Sequence, residues 1–173
     1  MKLMQLVERR LTKAECERIV RYVGNDSGRM AELVNVVLKG NHKAQQYASW
    51  PLSFCVERNP AVVLPHLSAL VKNLRRPGIH DAVRRSTIRL MQFIRIPKPL
   101  QGKVADICFA NLADTRETIA VRVFSMSVLA NLANDIPEFR EELKIIIEHN
   151  LPYAASAFAS RSRKVLLMLK RGD

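Results

Sequence analysis

Between Arg75 and Lys103 the chain places eight cations: Arg75, Arg76, Arg84, Arg85, Arg89, Arg95, Lys98 and Lys103. A guanidinium offers two parallel N–H donors, so a row of arginines suits phosphates or carboxylates. A helix beginning after Gly78 would turn Val83, Thr87, Leu90 and Ile94 to the core. Arg85, Arg89 and Gln92 would then share another face, with His80, Arg84 and Arg95 on the flanks. The row is the candidate partner-binding patch, although a basic face also serves simply to keep a protein soluble.

The other chemistry-bearing residues point away from catalysis. Glu138, Glu141 and Glu142 are spaced as a solvated stripe on a polar helix face rather than as an acid/base pair. Asp106 and Asp114 have no base or metal partner near them in sequence. There is no phosphate-cradling glycine loop, no dinucleotide fingerprint, no nucleophile elbow and no H-E-x-x-H. The flexible serine loop of the aspartase/fumarase enzymes is also missing, and 173 residues cannot build their long bundle. The four histidines (His42, His66, His80, His149) do not fall at zinc-ligand spacings. Cys16, Cys55 and Cys108 sit among apolar neighbours at helical spacing and read as reduced, buried residues. No catalytic residue, cofactor ligand or metal ligand is therefore assigned, and none of those groups is expected.

The net charge of +12 is unevenly spread. Residues 41–112 hold eleven Lys/Arg against Glu57, Asp81 and Asp106, whereas 113–151 hold seven acids against four bases. Residues 152–173 return to five bases and one acid, so the chain carries patches of different sign. No apolar run approaches the length of a membrane span, and no signal segment opens the chain, which makes a cytoplasmic protein without membrane contact the expectation.

The elements that must position these residues are helices. The hydrophobic share is 48% and the aromatic share 6%, so the core draws on Leu, Ile, Val, Ala and Met, which suits interdigitating helices. Thr12-Lys13-Ala14-Glu15 reads as a capping box opening a helix that buries Cys16, Ile19, Val20 and Val23 and stops at Gly24. Asp26 or Ser27 caps the next, with Met30, Leu33, Val34, Val37 and Leu38 as its stripe and Gly40 as its end. Trp50 precedes a proline inside a helical pattern and reads as a core residue.

The chain then repeats itself. Asn73-Leu74, Asn111-Leu112 and Asn150-Leu151 recur at spacings of 38 and 39 residues, and Pro60, Pro99 and Pro137 sit near the start of each second helix. The period, the paired helices, the hairpin proline and Pro51 inside a first helix together resemble HEAT or armadillo repeats. That resemblance implies an all-α fold, an α-α superhelix of about nine or ten helices. It would form a single domain over 1–173: an N-terminal hairpin at 12–39, repeats at 41–74, 78–112 and 115–151, and a closing helix at 152–170.

A non-enzymatic scaffold binding a protein partner, through a helical-repeat groove or the arginine-rich patch, is the function expected of such a chain. The alternative is a nucleic-acid-binding accessory protein using Arg84, Arg85 and Arg89. A HEAT-like DNA-repair glycosylase is a third reading, which the acids at Glu138–Glu148 disfavour because they would repel a duplex. The apolar run Val165–Leu169 is expected to pack back on the preceding hairpin in a monomer, with a dimer contact as the other outcome.

Overall fold

The structure is a computed structural model and describes residues 3–170. Met1 and Lys2, assigned to the fold from sequence, and residues 171–173 of the C-terminal basic stretch lie outside the described residues. Among the described residues ten α-helical segments follow one another: α1 (Leu3–Leu6), α2 (Lys13–Val23), α3 (Ser27–Lys39), α4 (His42–Arg58), α5 (Leu67–Asn73), α6 (Asp81–Met91), α7 (Lys98–Ala113), α8 (Ile119–Leu132), α9 (Phe139–Asn150) and α10 (Ser156–Lys170). The first is a single turn. Among the described residues there is no strand, and the chain is an all-α helical repeat. Its backbone contacts fall into two compact units, one running to Ile94 and the other from Arg95.

In the first unit α2 and α3 pack on α4, and α4 packs most extensively on α6. The capping box at α2 forms as its spacing predicts: the Glu15 amide donates to Thr12 Oγ1 (3.2 Å) and the Thr12 amide donates to Glu15 Oε2 (2.9 Å). Those two bonds satisfy donors that a bare helix start leaves orphaned. Gly24 ends α2 at φ +46°, where a side chain is strained, and Asp26 rather than Ser27 caps α3. Gly40 is needed for a different reason. Its backbone is extended, but a Cβ there would lie 2.5 Å from the Val36 carbonyl oxygen.

Helix α4 continues through Pro51, which removes one amide from the ladder. The second helix of this repeat departs from expectation. Residues Pro60–His66 form a 3-10 segment and only Leu67–Asn73 are α-helical. Pro65 explains the break, since it lacks an amide proton and its ring crowds the carbonyl four residues back. Ile19, Met30, Leu33, Leu52, Leu67, Leu70, Leu90 and Met91 are fully buried here.

The second unit is built around α8, which packs on α7, α9 and α10. Its core holds Val104, Cys108, Leu112, Met126, Leu129, Leu143, Ile147, Phe158 and Val165. Burying each such side chain stabilises the fold by about 1.5–3 kcal/mol. The run at the end of α10 divides: Val165 is buried against the hairpin, while Leu167 and Met168 are exposed.

Candidate functional site

The repeated asparagines are helix-end fasteners. Asn150 Oδ1 accepts from Arg122 Nη2 (2.8 Å) while its own amide donates to the Ile146 carbonyl (2.8 Å). Asn111 Nδ2 reaches Ser125 Oγ (3.5 Å), and Asn73 is buried below Arg76, whose Nη1 lies 3.5 Å from Asn73 Oδ1. Polar groups buried at helix ends need such partners.

Several arginines likewise turn inward. Arg89 Nη2 donates to Glu57 Oε2 (2.6 Å) and Nη1 to Ser53 Oγ (3.2 Å), and the guanidinium lies 4.5 Å from the Phe54 ring centre and 5.1 Å from that of Phe93. It clamps α6 to α4. In the second unit Arg122 donates to the Leu112 carbonyl (3.1 Å) and lies 4.7 Å over Phe158, and burial lowers its pKa from the usual arginine value. Arg161 Nη1 donates to Ser127 Oγ (2.7 Å). Ser53–Arg89 and Ser127–Arg161 thus join first helices across 36 and 34 residues.

Sequence reasoning missed the serines buried in the first helices: Ser49, Ser53 and Ser86 in the first unit, and Ser125, Ser127 and Ser162 in the second. Their trace was present as small residues recurring at the repeat period. Ser49 Oγ uses its place there to meet the Gln46 carbonyl (2.8 Å) and the Ala82 carbonyl (3.2 Å).

These roles sort the predicted basic row. Arg75, Arg76, Arg84, Arg85 and Arg89 belong to the first unit; Arg95, Lys98 and Lys103 belong to the second. Arg89 is committed to Glu57, and Arg84 is half-buried. Arg95 grips Asp135 with Nη2 (2.9 Å) and Nε (3.4 Å), and that hydrogen bonding holds the Asp135 carboxyl below its ordinary range. Gln101 Nε2 also donates to Asp135 (3.1 Å). Arg75, Arg76, Arg85, Lys98 and Lys103 are exposed. The acids Glu138, Glu141, Glu142 and Glu148 on α9 are exposed as a solvated stripe, and Asp114 holds Arg116 through a two-point ion pair.

Arg85 alone of the eight lines a cleft on the first unit. The cleft holds about 540 Å³ and its walls are Arg10, Leu11, Gln46, Tyr47, Ser49, Trp50, Ala82, Arg85 and Ser86. Trp50, expected in the core, is 38% exposed because Pro51 and Leu52 take the buried positions of that turn. Its indole rests edge-on against Phe54, with ring centroids 6.0 Å apart and planes at 74°. Arg10 lies outside the row that the sequence singled out, and no local signal linked it to residues 36 or more positions away.

The three cysteines are free and buried, and burial pushes their thiols up, Cys16 to about 11 and Cys55 and Cys108 to about 12. That keeps the thiols protonated at neutral pH.

The fold and the buried serines of its first helices define a helical-hairpin repeat protein, in which helices bury their apolar faces against one another. A family model described as a HEAT repeat domain matches residues 3–169, and the chain belongs to that family. HEAT repeats are generally protein-interaction scaffolds and are typically non-enzymatic. No curated protein and no solved structure matches the chain. Among the described residues no helix is long and apolar enough to cross a membrane.

Proposed function

We propose that this chain is a non-enzymatic interaction module that binds a protein partner on the α4–α6 face of its first unit. The observation that carries this reading is the lining of the Trp50 cleft. Among the described residues the side chains of Arg10 and Arg85 make no hydrogen bond or ion pair, and Trp50 in the same lining is 38% exposed. An exposed tryptophan with arginines beside it is the composition of an interface anchor. Family membership supports a protein as the partner.

The test is capture from native lysate on the immobilised full chain, compared with a chain carrying Arg10→Glu and Arg85→Glu. The expected result is a discrete set of proteins retained by the first and released by the second. Identical capture by both chains, or binding that goes instead to oligonucleotides and fades steeply with salt, defeats the proposal.

A further inference from the structure

The protein-binding reading leaves the partner's chemistry open, and the cleft narrows it. Resting on that reading, we propose that the Trp50 cleft takes an acidic linear segment of the partner. Carboxylates of the segment pair with Arg10 and Arg85, and one of its apolar side chains lies against Trp50.

Among the described residues no carboxylate lines the cleft. The guanidinium groups and the indole are donors without any acceptor, and Gln46 and Tyr47 add an amide and a phenol. Ser49, the polar group nearest the floor by burial, is already occupied by two carbonyls. The occupant must therefore bring acceptors and negative charge. A carboxylate satisfies a guanidinium through two parallel hydrogen bonds.

Size and continuity decide between an acidic peptide and a nucleic acid. A cleft of about 540 Å³ lies in the range, about 300–1,000 Å³, that encloses a ligand of a few side chains. Duplex binding draws on a longer track, about 6–10 phosphate contacts. Along α6 that track is broken, because Arg89 is held by Glu57 and Arg84 is half-buried. The α4 and α6 backbones that wall the cleft are held together by the Arg89–Glu57 pair and the Ser49–Ala82 bond.

Trp50 is the one tryptophan of the chain, so its fluorescence reports on this cleft alone. The probes are two capped peptides, Glu-Glu-Phe-Glu-Glu and its uncharged counterpart Gln-Gln-Phe-Gln-Gln, titrated into the full chain. The expected result is a saturable change in Trp50 emission with the acidic peptide and none with the glutamine peptide. Arg10→Ala with Arg85→Ala should weaken that binding by about tenfold or more, since each loses a charge-assisted contact. Both positions are exposed, and a thermal melt matching the parent's shows that the variant is folded.

Equal responses to the two peptides, or silence with both, overturn the proposal. So does an emission change produced by a five-nucleotide thymidine strand when the acidic peptide produces none. If the peptides are silent while lysate capture persists and is lost with Arg10→Ala and Arg85→Ala, the acidic-segment inference falls and the interaction module stands. If lysate capture is itself empty, the module reading is what fails.

Discussion

Each unit carries a cleft walled by packed helices, and their linings differ in kind. The groove of the second unit, about 380 Å³, lies along α9 and α10 and is lined by Glu138, Glu141 and Glu148 together with Arg140, Lys144 and Lys170, over Leu166 and Leu169. Lys144 Nζ lies 4.0 Å from Glu141. Its charges have local counter-charges and call for no charged occupant. Among the described residues the Trp50 cleft has two guanidinium groups and no acid. Net charge, then, does not locate a binding surface. What matters is whether a cation has already found its partner within the chain, and α6 shows both outcomes four residues apart at Arg85 and Arg89.

That contrast can be broken most sharply on α6 itself. Arg89→Ala should cost about 1–2 kcal/mol, because it removes two hydrogen bonds and two ring contacts. Arg85→Ala should stay within about 0.5 kcal/mol. Urea denaturation of both variants checks this, and equal losses would erase the distinction between clamp and cleft. Next in size is selectivity between the clefts. Glu141→Gln with Glu148→Gln should leave the acidic-peptide affinity at Trp50 unchanged, against the roughly tenfold loss expected for the arginine pair. A calorimetric titration that shows a second binding site in the parent chain would contradict the self-neutralised groove.

Smaller effects sharpen the description of the helices. Gly102 lies inside α7 with nothing within 4 Å of where a Cβ would stand, so Gly102→Ala should stabilise the second unit by about 0.5–1 kcal/mol. Gly40→Ala in the first unit should instead destabilise, and thermal melts of the two variants should move in opposite directions.

The smallest effect concerns Asp135. Its folded pKa is lowered from the ordinary 3.8, chiefly by hydrogen bonding from Arg95, so its contribution is present above that value and is lost as pH falls through the folded pKa. Asp135→Asn should therefore lower stability at neutral pH and flatten its decline on acidification. Denaturant midpoints on either side of pH 3.8 would show it.

Much of the local structure was legible. The Thr12–Glu15 box, the stop at Gly24, the stripe through Val83, Thr87, Leu90 and Ile94 and the buried cysteines all rest on residues within a turn or two of one another. The 3-10 segment at Pro60–His66 was missed because two prolines within six residues compete with an otherwise helical apolar pattern. Trp50 was read inward because an aromatic beside a helix-interior proline matches a core position locally, and the turn's other residues won the space. The candidate site was legible only in part: Arg85 stood in the predicted row, whereas Arg10 came from a different region of the chain.

What the sequence by itself determined is the kind of protein this is: helices from 3.6-residue periodicity and caps, and a repeat from marks returning every 38 or 39 residues. Such signals are contiguous, so one strand of text contains them whole. What only the tertiary structure decided is the fate of each cation. Arg89 meets Glu57 across 32 residues, Arg95 meets Asp135 across 40, and among the described residues Arg85 meets no acid. An arginine's reach of several ångströms makes its partner a matter of which helices pack together, and packing is settled in three dimensions by the apolar faces rather than by the charges they carry.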